Sequence, residues 1–169
     1  MNSTRDGDAA FREFASSCSP SLFRSAWLLT GDWHAAEDLV QDALSRMYRI
    51  WGGISRIDNP AAYAQTVLAR QFLTVRRRRS FGERPSAELP DAGAAGPDSD
   101  LRVSLVAALA ELPKRDRAVI VLRYLADRSV EQVALDLGRT PSAIKVQSMR
   151  ALAKLRAALG EDLLDLAQS

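Results

Sequence analysis

The chain has 169 residues, of which 47% are hydrophobic, which is enough for one larger domain or two small ones. Its formal net charge is only +2. Cys18 is the only cysteine, so an internal disulfide is excluded. His34 is the only histidine, and a zinc site made of Cys18 and His34 alone would lack ligands. With no signal-peptide pattern and no apolar run of roughly 18 residues, we expect a cytoplasmic protein with no membrane span and no cofactor.

Charge is distributed unevenly along the chain. Residues 1–79 carry 11 Lys/Arg and 8 Asp/Glu, residues 80–100 carry one and five, and residues 101–169 carry 11 and 8. The acidic middle segment also holds three Gly and three Pro, which is typical of a linker. We therefore predict a domain over 1–79, a flexible acidic linker over 80–100 and a domain over 101–169. Such a linker spans roughly 25 Å on average and about 70 Å at full stretch, so the two domains could occupy separate sites.

The first domain is predicted to be helical, because no segment shows sustained alternation of β-branched residues. An apolar-rich helical region covers Phe11–Leu29, and a bend is possible at Pro20. Asp32 can cap a second helix, Trp33–Trp51, which Gly52–Gly53 should end.

This second helix has two faces. The apolar positions are Ala36, Leu39, Val40, Ala43, Leu44, Met47, Ile50 and Trp51. The polar positions are Asp38, Gln41, Asp42, Ser45 and Arg49. A surface helix normally has a polar face, so composition alone gives this one no function.

A third helix begins with Asn59 as the N-cap and Pro60 at the first helical position, and we expect it to reach about Arg79. Cations and aromatic residues gather along it. They are Arg70, Arg76, Arg77, Arg78 and Arg79, with Tyr63 and Phe72. Positive charge beside rings is how single-stranded bases are bound. Two alternatives stay open: the rings are more often core residues at this spacing, and the arginine run could be a solvated helix end.

In the second domain we predict helices over Leu101–Leu112 and Lys114–Tyr124, separated by Pro113. A capping box, Ser129 with Gln132, then begins a short helix that ends at Gly138.

The last helix should begin at Thr140–Pro141 and reach about Leu159. A short capped helix, a glycine turn and a longer capped helix form a helix-turn-helix pattern. The predicted core face of the last helix contains Ile144, Ala151, Leu152, Leu155 and Leu159. The residues available to DNA near its N-terminus are Arg139, Thr140, Ser142, Lys145, Val146, Met149 and Arg150. An ordinary helical hairpin with a solvated cationic face is the alternative.

Three segments, in this order, resemble bacterial RNA polymerase sigma factors of the extracytoplasmic-function (ECF) type in the sigma-70 family. The segment AAEDLVQDALSRMYRIW of this chain resembles the family's core-polymerase-binding helix. The family's promoter-melting and −10 helix is similar to NPAAYAQTVLARQFLTVRRRR. Its −35-reading domain is similar to LAELPKRDRAVIVLRYLADRSVEQVALDLGRTPSAIKVQSMRALAKLR. The Arg/Ala/Leu-rich, Lys-poor composition is similar to that of actinobacterial members.

The resemblance implies an all-α fold of two small helical domains, a region 2 bundle and a region 4 helix-turn-helix domain, joined by the acidic linker. It implies binding to core RNA polymerase through the β′ clamp helices and the β flap, to promoter DNA and, in some members, to an anti-sigma factor, with no small-molecule substrate. The implied polymerase contacts are Asp38, Gln41, Asp42, Ser45, Arg46 and Arg49. The implied −10 and melting contacts are Arg56, Asp58, Asn59, Tyr63, Arg70, Gln71, Thr74 and Arg76–Arg79. The implied −35 contacts are the seven residues named above on the last helix.

Two positions depart from the family pattern. Arg70 stands where members often have Asn, and Val146 stands where the recognition helix often has Ser. The DNA sequences that other members read therefore do not carry over to this chain.

The favoured function is promoter-specific initiation by binding rather than by chemistry. A helix-turn-helix regulator that acts without joining RNA polymerase is the alternative. An enzyme is disfavoured, because the chain has one His, one Cys and no phosphate-binding glycine loop.

Overall fold

The computed structural model describes residues 3–75 and 97–160, and within these ranges the chain is helical without strands. The helices are α1 Ser3–Thr30, α2 Trp33–Ile50, α3 Pro60–Thr74, α4 Pro97–Ala110, α5 Lys114–Ile120, α6 Val130–Leu137 and α7 Pro141–Leu159. A 3-10 turn, Trp51–Arg56, follows α2, and a π-helical turn, Val121–Leu125, continues α5. The all-α prediction is confirmed.

The predicted N-caps are confirmed as well. Each cap side chain accepts a backbone N–H of the first turn: Asp32 from Ala35 (2.7 Å), Asn59 from Ala62 (3.0 Å), Ser129 from Gln132 (3.1 Å) and Thr140 from Ala143 (3.2 Å). The capping box is complete, because the Gln132 side chain accepts the Ser129 N–H at 2.9 Å. Gly138, at φ 63°, ends α6 in the left-handed conformation that glycine adopts without strain.

The first helix differs from the prediction in two ways. It begins at Ser3 instead of Phe11, and it continues through Pro20. Pro20 has no N–H for the carbonyl of Ser16, and both residues are exposed, so that carbonyl can bond to water. This position allows proline inside a continuous helix.

Two further boundaries differ. The third helix ends at Thr74 instead of reaching about Arg79. Lys114 of α5 donates from Nζ to the carbonyls of Phe72 (3.2 Å) and Val75 (2.8 Å), so a side chain satisfies the groups at this helix end. Helix α4 begins at Pro97, inside the last part of the segment predicted as linker. The remainder of that segment, residues 80–96, lies outside the described residues, as do Arg76–Arg79 and residues 161–169.

Helices α1–α3 form one bundle. Its centre contains Leu22, Leu29, Met47 and Leu68, none of which is exposed to solvent. The predicted apolar face of α2 is buried except near its end, where Ile50 is 39% exposed. Phe11 and Phe14 of α1 pack on Trp51, with ring centroids 5.2 and 4.8 Å apart.

Helices α4–α7 form a second bundle. The predicted core face of α7 is confirmed, because Ile144, Ala151 and Leu155 are buried. Leu152 and Leu159 are partly buried against the cluster that contains Ala151 and Leu155.

The two bundles pack directly against each other. Ala118 and Val121 of the second bundle belong to the core of the first, and Ala69 of α3 is buried in the core of the second. Arg117 of α5 is buried and donates to the carbonyl oxygens of Leu29, at the end of α1, and of Leu112.

Over the described ranges, no helix combines the length and the apolar character needed to cross a bilayer.

Candidate functional site

The polar face of α2 is fully available to solvent. Its apolar positions pack on α1 and α3, so the intervening positions point outward. All six residues predicted to bind polymerase are exposed: Asp38, Gln41, Asp42, Ser45, Arg46 and Arg49. None of them forms an ion pair with another part of the chain that the structure describes. Carboxylates, an amide and two guanidiniums therefore form one directed surface that is free for a partner.

A shallow groove of about 500 Å³ runs beside this face, between α1 and α2. Its apolar floor contains Phe11, Leu44 and Tyr48, and Gln41 and Arg49 lie at its rim. The hydroxyl of Tyr48 donates to a carboxylate oxygen of Asp8 at 2.8 Å, and this hydrogen bond raises the pKa of Tyr48. The groove places aromatic surface next to polar groups, as protein interfaces commonly do.

A second cavity, of about 290 Å³, lies between α2 and α3 and is cationic. Its lining contains Arg46, Arg49 and Arg70, with Tyr63 beside them. It is also lined by Ile50, which explains why this predicted core residue is exposed. No carboxylate lines the cavity. Three guanidiniums with an aromatic ring suit the phosphate and base of a single-stranded nucleotide.

The lining of this cavity contains residues from two groups that were predicted to have different partners. Arg46 and Arg49 are predicted polymerase contacts, whereas Tyr63 and Arg70 are predicted −10 contacts. Phe72, by contrast, is buried in the first core, which is the core alternative left open for this ring.

The segment before α3 exposes Arg56 and Asp58 in and after the 3-10 turn. Gly52 and Gly53 have no heavy atom near the place of a Cβ, so the backbone there is open to close approach. Asn59 is exposed too, but its Oδ1 is already used to cap α3.

On α3, two of the predicted −10 contacts, Arg70 and Thr74, form hydrogen bonds within the protein, and a third, Gln71, is buried. Arg70 donates from Nε to the main-chain oxygen of Asp136 at 2.6 Å. Gln71 is only 6% exposed, and Thr74 donates its hydroxyl to the Gln71 carbonyl at 3.0 Å. In this arrangement, Gln71 is inaccessible to a nucleic acid.

The N-terminal half of α7 is exposed at every position predicted to contact DNA: Arg139, Thr140, Ser142, Lys145, Val146, Met149 and Arg150. Met149 is the most prominent apolar member, at 72% exposure. Asp116 of α5 fixes the orientation of the helix, because it accepts from Gln147 at 2.9 Å and pairs with Lys154 at 3.1 Å. Arg139, Lys145 and Arg150 form no ion pair within the residues that the structure describes, so this end of the helix is cationic.

The sequence did not reveal a polar cluster between the bundles. Asp136 pairs with Arg128 at 2.7 Å and accepts from the hydroxyl of Thr66 at 2.9 Å. These residues are far apart along the chain and fit no motif, so no local signal identifies them.

Comparison with known proteins shows a family match for each of the two bundles. Residues 14–81 match the family model for sigma-70 region 2, and residues 102–155 match that for sigma-70 region 4. The chain is 34% identical over 157 residues to an RNA polymerase sigma-E factor of Streptomyces avermitilis. The alignment covers 92% of this chain and 88% of the relative. It is 33% identical over 150 residues to the ECF RNA polymerase sigma factor SigL of Mycobacterium tuberculosis, with 83% of each chain covered.

A solved structure is similar over both bundles at once. It is the sigma factor RpoE from Bartonella quintana, in complex with the anti-sigma factor NepR. The TM-score is 0.72 at 26% identity, and the match covers 90% of this chain and 98% of the other.

Proposed function

We propose that separate surfaces of this chain contact core RNA polymerase, the −10 element and the −35 element. The chain belongs to the extracytoplasmic-function group of the sigma-70 family. It is a sigma factor: it binds core RNA polymerase and directs initiation at promoters, by reading duplex DNA at −35 and capturing melted bases at −10. In this proposal residues 1–79 bind polymerase and the −10 element, residues 101–169 read the −35 element, and residues 80–100 link them.

The polar face of α2 is the proposed docking surface for the β′ clamp helices. Its support is the exposure of Asp38, Gln41 and Asp42 on a helix whose opposite face buries Ala36, Leu39, Val40, Ala43 and Met47. Charge complementarity on such a surface directs orientation and association rate. The same face would be covered by an anti-sigma factor that competes with polymerase.

The cationic cavity is the proposed site for the melted −10 strand. Arg46, Arg49 and Arg70 would neutralise phosphates, and Tyr63 would stack on an unpaired base. Trapping a flipped base offsets roughly a few kcal/mol of lost stacking, so strand opening needs no catalytic group.

Helix α7 is the proposed −35 reader. Lys145 and Arg150 supply donors to base edges or phosphates, and Val146 supplies an apolar surface for a thymine methyl group. Phosphate contacts would position the helix, and a few base contacts would select the sequence.

The observation that carries this proposal is the solvent-exposed polar face of α2 in the domain that matches region 2. A regulator that acts alone would need only the helix-turn-helix domain for DNA, so this directed surface would have no partner.

A retention experiment separates the two functions. The immobilised full chain is incubated with pooled genomic fragments, with or without core polymerase from an actinobacterium, and the retained fragments are sequenced. We expect discrete fragments only when core enzyme is present. Equal retention of the same fragments without core enzyme would favour the independent regulator.

A further inference from the structure

The buried face of α7 supplies packing but no directional bond within the residues that the structure describes. Ile144, Ala151 and Leu155 are buried there against apolar side chains of α4, α5 and α6. Ser148, the polar residue on this face, is 5% exposed, and its hydroxyl has no hydrogen-bond partner in that part of the chain. Apolar packing holds the helix in the bundle, but it depends only weakly on direction. The rotation of α7 about its own axis therefore needs a further constraint.

A carboxylate of α5 provides that constraint. One oxygen of Asp116 accepts from Nε2 of Gln147 at 2.9 Å, and the other lies 3.1 Å from Nζ of Lys154. Gln147 and Lys154 are about two helical turns apart and lie on the same side of α7. The Asp116 side chain is 14% exposed, whereas that of Lys154 is 55% exposed, so the hydrogen bond to Gln147 is the better shielded of the two. Two bonds to one carboxylate oppose both rotation and sliding of the helix.

The side of α7 that Asp116 holds adjoins the face proposed to read −35 DNA. Successive residues of a helix differ by about 100°, which places Gln147 between buried Ala151 and exposed Arg150. A rotation of about 20° moves the end of a side chain, about 6 Å from the helix axis, by roughly 2 Å. Hydrogen bonds to base edges do not survive such a displacement, because donors must stay within about 3.2 Å of their acceptors. The rotation of α7 therefore determines which bases Lys145 and Arg150 can reach.

Asp116 also neutralises a cation beside that face. Lys154 lies one turn further along α7 than Arg150, and its ammonium group is paired with the carboxylate. Loss of the carboxylate would leave a free cation and remove a negative charge within about 10 Å of bound DNA, the Debye length at 0.1 M salt. Attraction to phosphate does not depend on base sequence. Loss of Asp116 should therefore weaken sequence-specific binding while non-specific binding is unchanged or stronger.

We propose that Asp116 is a positioning residue for −35 recognition: it holds α7 in one rotation through Gln147 and so sets the base preference of the helix without contacting DNA. A carboxylate is itself repelled by phosphate, which agrees with an indirect role. The inference rests on the proposed function, because the −35 role of α7 belongs to it.

The test measures −35 discrimination by the holoenzyme of the full chain with core polymerase. Two probes are compared: a promoter fragment that the holoenzyme retains, and the same fragment with its −35 element scrambled and its −10 element intact. Discrimination is the ratio of the two affinities at fixed salt concentration. Because the polymerase and −10 contacts are common to both probes, the ratio reports on α7, and the scrambled probe reports its non-specific contacts.

We expect Asp116→Ala to reduce this ratio about tenfold, the effect of losing one base contact, with undiminished affinity for the scrambled probe. Gln147→Ala should reduce the ratio by a similar factor, and the double variant should reduce it no further, because both residues act through one interaction. Asp116→Asn keeps an acceptor oxygen for Gln147 and should retain most of the discrimination. Glu111→Ala removes an exposed acid just after α4 and is the matched control, which should equal the wild type.

A ratio for Asp116→Ala equal to that of Glu111→Ala would overturn the proposal. So would an equal loss of affinity for both probes by a variant that circular dichroism shows to be folded, because Asp116 would then only stabilise the domain. If Asp116→Ala unfolds, Gln147→Ala, at a partly exposed position, decides by the same two criteria.

Lys145→Ala separates this failure from that of the proposed function. A lower ratio in Lys145→Ala but not in Asp116→Ala leaves α7 as the −35 reader and removes only the role of Asp116. An unchanged ratio in Lys145→Ala, Arg150→Ala and Asp116→Ala together would contradict the −35 role of α7, and the inference would be overturned with it.

Discussion

Arg70 lies with its Nε 2.6 Å from the main-chain oxygen of Asp136, 66 residues further along the chain. The side chain that replaces the family's frequent asparagine is thus paired to the helix-turn-helix domain. It also lines the cationic cavity between α2 and α3. One residue therefore lies both at the contact between the two bundles and in the cavity proposed for the melted strand.

Replacing Arg70 should change which −10 sequences are used. Arg70→Asn removes a cation from the cavity and restores a short amide that can read a base edge. A well-placed side chain discriminates bases by roughly 1–3 kcal/mol, so the preferred −10 sequence should shift while the −35 preference stays the same. The measurement is transcription from a promoter library randomised at both elements. Arg24→Asn, at an exposed position of α1, is the matched control, and an identical −10 preference in all three proteins would remove Arg70 from the site.

The double variant Asp38→Ala/Gln41→Ala should weaken binding to core polymerase about tenfold, or by roughly 1–2 kcal/mol. Thermal stability and circular dichroism should be unaffected, because both positions are exposed. Fluorescence anisotropy of the labelled chain with core enzyme gives the affinity. Glu13→Ala removes an exposed acid from α1 and serves as the control. If the double variant and the control bind equally, α2 does not dock polymerase through this face.

Lys145→Ala and Arg150→Ala should each reduce promoter binding by the holoenzyme. The expected loss is roughly 1–3 kcal/mol for a contact to a base and less for a contact to a phosphate. Arg156→Ala, at an exposed position in the last turn of α7, should have little effect. The assay compares affinities for a −35-dependent promoter at fixed salt concentration. Wild-type affinity in both of the first two variants would exclude them from the reading surface.

Gly138→Ala should lower the free energy of unfolding by about 1 kcal/mol, because the residue has φ 63° and a Cβ is unfavourable in that conformation. The space around it is open, so no steric clash adds to this effect. Gly52→Ala is the control, since that glycine also lies in open space but not at positive φ. Urea unfolding compares the two, and equal midpoints would contradict the backbone explanation.

Alkaline pH should destabilise the protein partly through Cys18. Burial raises the pKa of the Cys18 thiol above its ordinary 9.0, so the folded state keeps the proton that the unfolded state loses. The folded state therefore binds more protons in this window, and the free energy of unfolding falls as the pH rises above about 9. Denaturant unfolding from pH 7 to 10 should give a shallower decline for Cys18→Ala than for wild type. Parallel curves would argue against this contribution.

Local features were predictable because their signals lie within a few residues. Asp32, Asn59 and Thr140 cap the helices that follow them, and Gly138 adopts the left-handed conformation expected at a helix end. The two faces of α2 followed from helical periodicity. These features require no knowledge of what packs on the helix.

The contact between domains was not predictable for the opposite reason. Periodicity shows that a face of α3 is apolar but does not show which element covers it, and Ala69 carries no signal of its own. Thr66 and Asp136 are 70 residues apart, and each could equally be a solvated residue on its helix. The end of α3 was misplaced for the same reason, since its carbonyls bond to Lys114 from another domain.

Mapping of transcription starts is the most direct test of whether this chain directs initiation by RNA polymerase. The purified protein is mixed with core RNA polymerase from an actinobacterium on fragmented genomic DNA, and the 5′ ends of the transcripts are sequenced. We expect discrete starts that share paired motifs near −10 and −35 and that are absent without the protein. No new starts, together with no co-elution of the chain with core enzyme, would contradict it and favour a DNA-binding regulator that never joins polymerase.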